Sequence, residues 1–134
     1  MKAGAALRVI GTGVDMVEIH RVELSIERFG ERFLGRVFTA RERAYCEDRR
    51  KGAAQSFALR FAAKEAFAKA LGTGIRLGVN WKDIEVQSDS LGRPAIALHG
   101  GAATAAKKAG IQRTHLSLSH DGPLAVAFVV VEGT

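Results

Sequence analysis

Between residues 57 and 71 nearly every position is Ala, Phe or Leu, and the only interruptions are Arg60, Lys64, Glu65 and Lys69. A stretch that is apolar on almost every side predicts a buried helix, and Gly72-Thr73-Gly74 marks its end because glycine readily takes the left-handed conformation that stops helices. Upstream, the pattern predicts a β-branched strand over residues 7–15, loosened by Gly11 and Gly13, then a helix from about residue 17 to 29 and a break at Gly30. Thr39 followed three residues later by Glu42 is a capping box that opens a short, charged helix ending near Arg50, and Gly52 separates it from the long helix. Downstream, residues 83–87 and 94–98 read as a hairpin, residues 102–109 as a small Ala-rich helix closed by Gly110, and residues 114–119 and 124–131 as two closing strands. Helices gather early and strands late. That order predicts an α+β fold in a single domain, 1–134, with an antiparallel sheet packed on the long buried helix.

Composition narrows the function. At 134 residues, 47% hydrophobic and 25% charged, the chain has the make-up of a soluble globular domain. Its lone Cys46 forms no internal disulfide, which fits a reducing compartment. Lys2 and the small residues after it are faintly signal-like, but Arg8 interrupts them, and no run approaches the ~18 apolar residues of a spanning helix. The expectation is a cytoplasmic protein with no membrane partner. A net charge of +6 points to an acidic partner or substrate. One Trp and one Tyr offer no basic and aromatic stacking platform, so nucleic acid is not the expected ligand.

At 100° per residue, Phe57, Arg60, Phe61, Lys64 and Glu65 share one side of the long helix, with Lys69 at its margin and Leu59, Ala63, Ala66 and Ala70 opposite. Glu65 and Lys69 are placed for an intrahelical pair of about 0.2–0.5 kcal/mol, which leaves Arg60 and Lys64 unmatched. Unpaired buried charges are costly, so a polyanionic ligand with a metal ion would satisfy the set. Asp15, at the end of the first strand, and Glu65 are two oxygen donors suited to a hard cation such as Mg²⁺, while the alternative for Asp15 is to cap the next helix. Gly11-Thr12-Gly13 lacks the third glycine of a dinucleotide fingerprint.

Three further segments carry candidate chemistry. On a strand, His115, Ser117 and Ser119 share a face and His120 follows at its end, either hydrogen-bonding phosphate oxygens or forming a polar outer face. Their adjacency rules out a Ser-His-Asp triad. Gly72-Thr73-Gly74 offers amides to a phosphate or simply ends the helix, and His20 and His99 read as structural. Arg21 and Arg28 share a helical face, followed by Arg32 and Arg36, as a docking site for an acidic helix or as a solvated surface.

In this order, Gly13-Val14-Asp15 with Arg21, Phe38-Thr39-Ala40-Arg41-Glu42, the run from Arg60 to Gly74, Asp83-Ile84-Glu85-Val86, Gly92-Arg93-Pro94 and His115-Leu116-Ser117-Leu118-Ser119-His120 resemble the holo-[acyl-carrier-protein] synthases, the small bacterial 4′-phosphopantetheinyl transferases. The resemblance covers essentially the whole chain. It implies Mg²⁺-dependent transfer of the phosphopantetheine arm of coenzyme A to a serine of an acyl carrier protein, releasing adenosine 3′,5′-bisphosphate in support of fatty acid biosynthesis. By the same resemblance Asp15 and Glu65 hold the metal, and Arg60, Lys64, Lys69, Gly72, Thr73, Gly74, Ser119 and His120 are phosphate-side or adenine-side candidates. Glu65 acting through a water is the first choice of general base and Lys69 the second. The resemblance also implies a homotrimer with sites at subunit boundaries, and an acidic carrier docked on Arg21, Arg28 and Arg32.

Overall fold

Strand β1 (Arg8–Glu18) leads into helices α1 (Ile19–Phe29), α2 (Glu31–Val37) and α3 (Ala40–Glu47), and then into the long α4 (Ala53–Leu71). The hairpin β2 (Ile84–Ser88) and β3 (Pro94–Leu98) follows, then α5 (Gly100–Lys108) and the long strands β4 (Ile111–Asp121) and β5 (Leu124–Gly133). The computed structural model describes residues 6–134, so Lys2 and its neighbours lie outside the described residues. The α+β arrangement expected from the pattern is present, with one refinement. The strands make two antiparallel sheets, a three-stranded one ordered β1-β5-β4 and the separate β2-β3 hairpin.

β5 lies at the centre because it pairs along its full length on both sides. Ala125, Ala127, Val129 and Val131 alternate inward and are fully buried. β1 runs on to Glu18, where a helix was expected from residue 17, because Val17 and Glu18 still find partners in Ala125 and Leu124. Cross-strand pairing overrides local propensity there. Asp15 is therefore interior to the strand and does not cap α1, whose N-cap is Glu18.

Gly11 and Gly13 allow β1 to lie directly on the α4 backbone. A Cβ at Gly13 would stand 1.9 Å from the Ala66 carbonyl oxygen, and one at Gly11 would stand 2.4 Å from that of Ala70. With Ala62, Ala63 and Ala66 fully buried, α4 is packed on several sides, which explains its nearly uniform apolar run. A second cluster joins Val22, Phe38 and Phe57, and stacks Phe33 on Phe61 and Phe61 on Trp81. Cys46 is buried within it, its thiol pushed up by burial.

The capping box forms as expected, with Thr39 Oγ1 accepting from the Glu42 amide and Glu42 Oε1 accepting from the Thr39 amide. α3 stops at Glu47, ahead of the expected end near Arg50, and a 3₁₀ turn at Arg50–Gly52 redirects the chain. α4 ends at Gly72, in the left-handed conformation at φ 94°.

Candidate active site

Gly11, Gly13 and Asp15 fall on the side of β1 that faces α4, so the close approach of strand and helix delivers the Asp15 carboxylate to the helix surface. There Lys69 Nζ donates to Asp15 Oδ1 at 3.0 Å and to the Val14 carbonyl at 2.9 Å. Lys69 thus reaches across to the strand instead of making the expected intrahelical pair with Glu65. Glu65 sits one turn earlier, and its pKa is raised, chiefly by burial and secondly by the neighbouring Asp15 carboxylate, with Lys69 opposing. Two carboxylates that repel one another beside a single ammonium carry one uncompensated negative charge. Such a pair suits Mg²⁺, which is bound by one or two carboxylates and completes its shell with substrate phosphates and water. Among the described residues no cluster of three or more His, Cys, Asp or Glu is present, so substrate oxygens would have to contribute.

Glu65 opens into a cleft of about 760 Å³ whose lining includes Arg36, Arg76, Asn80, Trp81 and Lys82. Three cations from two segments of chain thus share the cleft with two carboxylates, Glu65 and Asp83. In the sequence Arg36 stands only within a basic run, and Arg76 and Lys82, between α4 and β2, carry no periodic signal.

Lys64 corrects the expectation that it is unmatched and free for a phosphate. Its side chain is fully buried, and Nζ donates to Glu42 Oε1 at 2.8 Å, the Trp81 carbonyl at 3.0 Å and the Ile84 carbonyl at 2.6 Å. An ammonium has three N–H donors, and all of them are engaged. Burial lowers the Lys64 pKa while Glu42 holds it up.

Arg60 behaves differently. It is 5% exposed, its guanidinium lies over the Tyr45 ring, and its Nε has no hydrogen-bond partner. Arg49 also lies over Tyr45 and donates to its hydroxyl. The two arginines line a cavity of about 490 Å³ together with Ser56, Ser88, Gly92 and Leu118. A buried guanidinium with an unpaired N–H in a cavity is suited to an anionic group.

The remaining candidates are spread more widely. In the Gly72-Thr73-Gly74 loop the Gly72 and Gly74 amides bond to the Ala68 carbonyl, Gly72 also to that of Lys69, and the Thr73 hydroxyl donates to the Gly74 carbonyl. Those two amides are thus engaged in ending the helix, the alternative that the sequence also offers. Ser119 and His120 are exposed at the end of β4, which is an edge strand. His115, on the outer face of the same strand, bonds to Glu132 at 2.6 Å. Arg21, Arg28 and Arg32 are all exposed on α1 and α2, and Arg32 lies over the Phe29 ring. His99, read as structural, bonds to the buried Glu85.

A profile for the 4′-phosphopantetheinyl transferase superfamily matches residues 11–129. A holo-[acyl-carrier-protein] synthase of Koribacter versatilis is 51% identical over 124 residues, covering 92% of this chain and 98% of that one. The crystal structure of holo-[acyl-carrier-protein] synthase from Neisseria meningitidis is similar with a TM-score of 0.85 at 37% identity, covering 92% of this chain and 98% of that one. That of the Helicobacter pylori synthase in complex with coenzyme A is similar with a TM-score of 0.79 at 35% identity, covering 90% and 98%.

Proposed function

The chain belongs to the 4′-phosphopantetheinyl transferase superfamily, and we propose that Asp15, Glu65 and Lys69 form its reaction centre. The protein is a holo-[acyl-carrier-protein] synthase: it transfers the 4′-phosphopantetheine group of coenzyme A to a serine of apo acyl carrier protein and releases adenosine 3′,5′-bisphosphate. The observation that carries the assignment of the centre is the convergence of Asp15 and Lys69, from distant parts of the chain, beside a half-buried Glu65.

In the transfer, the serine oxygen forms a bond to the phosphorus of the pantetheine phosphate, and the bond from that phosphorus to the bridging pyrophosphate oxygen breaks. Positive charge around the transferring group is the main catalytic need of such a step. Asp15 and Glu65 would hold Mg²⁺, which supplies a Lewis acid for the pyrophosphate when bound. Lys69 keeps Asp15 oriented toward the helix. Glu65, acting through a water, is the proposed acceptor of the serine proton, and Lys69 is the second candidate. Arg60 and Arg49 are proposed to take an anionic end of coenzyme A in their shared cavity, where the free Nε of Arg60 has no other partner. Ser119 and His120 are proposed to meet a phosphate from the exposed end of β4, and Arg21, Arg28 and Arg32 to dock an acidic carrier surface.

The whole chain, 1–134, is read as one domain working in the cytoplasm in support of fatty acid biosynthesis. We further read it as a homotrimer. The outer face of the three-stranded sheet exposes Val14, Met16 and Phe128 at 54, 60 and 45%, with Val14 directly opposite Phe128. A contiguous apolar face of this kind calls for a partner surface, and a second copy supplies the same chemistry. Among the described residues no helix is long and apolar enough to cross a membrane.

The test is mass spectrometry of apo acyl carrier protein incubated with coenzyme A, Mg²⁺ and the enzyme. Addition of the phosphopantetheine mass, stopped by EDTA and abolished in Glu65→Gln, is expected. Cleavage of coenzyme A with no mass gained by the carrier would show a phosphohydrolase instead, and full activity of Glu65→Gln would remove Glu65 from the centre.

A further inference from the structure

Neither Glu42 nor Lys64 has a part in the chemistry described above, yet they form an ion pair at 2.8 Å in which both side chains are 0% exposed. A buried pair of this kind contributes little net stability, because apolar side chains of similar volume often serve as well or better. What this pair supplies is geometry. Lys64 Nζ holds the Trp81 and Ile84 carbonyls at 3.0 and 2.6 Å, and Glu42 Oε2 holds the Val86 amide at 2.8 Å. Glu42 Oε1 meanwhile accepts from the Thr39 amide at 2.9 Å. Residues 79–83 form one wall of the Glu65 cleft, and Lys64 immediately precedes Glu65 on α4. The pair therefore clamps that wall to the helical turn that carries the carboxylate.

We propose that Glu42 and Lys64 are positioning residues for the transfer. As a unit they hold the wall at residues 79–83 against Glu65, set the width of the cleft that the carrier's serine must enter, and touch neither substrate. The proposal rests on the transferase reading. It accounts for a lysine in the most charged part of the helix that has no donor left for a phosphate.

Trp81 is the chain's single tryptophan, its carbonyl accepts from Lys64, and its ring stacks on Phe61 at 4.8 Å, so its emission reports the position of the wall. The variants are Glu42→Gln, Lys64→Met, the two combined, and Glu42→Asp, which keeps the charge but is one methylene short of holding all its partners. In each, Trp81 emission is expected to shift to the red and become more accessible to acrylamide. The two single exchanges, Glu42→Gln and Lys64→Met, should lower kcat by about ten- to a hundredfold, because small misplacements of reacting groups are costly. The Kd of coenzyme A, titrated by calorimetry without carrier, should stay within about twofold, since no ligand contact is lost. Members of one unit are not additive, so the combined variant should be no slower than the slower single one, and Glu42→Asp should fall between it and the unaltered enzyme.

A tenfold weaker Kd for coenzyme A in Lys64→Met, with Glu42→Gln normal, would make Lys64 a phosphate ligand and overturn the proposal. Unchanged kcat despite a displaced Trp81 would overturn it too. If the stronger exchanges fail to fold, Glu42→Asp decides on the same readouts. Absence of turnover in the unaltered enzyme would sink the transferase reading, whereas a Trp81 signal that stays fixed in every variant sinks this proposal alone.

Discussion

Glu65 shows how one side chain can be costly to the fold and useful to the chemistry. Burial and the Asp15 carboxylate both disfavour its charge, so its folded pKa lies above the ordinary carboxylate value. Between those two values the folded chain binds more protons than the unfolded one, and stability falls as pH rises through that window. In EDTA, Glu65→Gln is expected to melt at a higher temperature than the unaltered protein near neutral pH. The difference should close as pH drops below about 4.3, where the unfolded-state carboxyl is protonated as well. Calorimetric melts across that range check it, and a Glu65→Gln variant that melts lower at neutral pH would contradict it. Asp15 and Glu65 were legible in the sequence because acidic side chains amid apolar ones need a reason to be there. The fate of Lys64 was not, because its partner Glu42 lies 22 residues away inside a capping box that already explained it.

At the scale of elements, helix and strand identities followed from periodicity, and the boundaries moved where tertiary contacts intervened. β1 outran its expected end because β5 continues alongside it. The two glycines of β1 suggest from sequence only a loosened strand, and no local pattern shows that a helix backbone lies against them. That contact makes a direct prediction. Gly13→Ala puts a methyl group 1.9 Å from the Ala66 oxygen, so strand and helix must separate. A loss of about 3 kcal/mol is expected in urea unfolding, at the upper end of overpacking costs. Transferase kcat should fall as well, because the same displacement draws Asp15 away from Lys69. A variant with unaltered stability would show that the backbones do not touch.

For the molecule as a whole, the net charge of +6 pointed to an acidic partner, but which surface meets that partner depends on folding. Arg21 is exposed on α1, and Arg21→Glu is expected to raise KM for the carrier about tenfold or more while KM for coenzyme A changes little. Steady-state kinetics with each substrate varied in turn checks this, and equal effects on both would remove Arg21 from docking. The outer sheet face makes a separate prediction. If the proposed trimer covers this face, light scattering should give the trimer mass for the unaltered protein and monomers for Val14→Asp, because a carboxylate opposite Phe128 cannot be covered by another apolar sheet without a partner. A trimer that survives this change would place the interface elsewhere.

Carrying Glu65 and Lys69 on α4 has a further consequence. Ala62, Ala63, Ala66, Phe67 and Ala68 of this helix are 0% exposed, so the two groups proposed for the reaction centre ride on the part of the chain least able to fray. Amide exchange in its central turns should be slow enough to report only global opening. Heat inactivation and loss of native structure should then follow one curve, with no range of temperature in which a folded but idle enzyme accumulates.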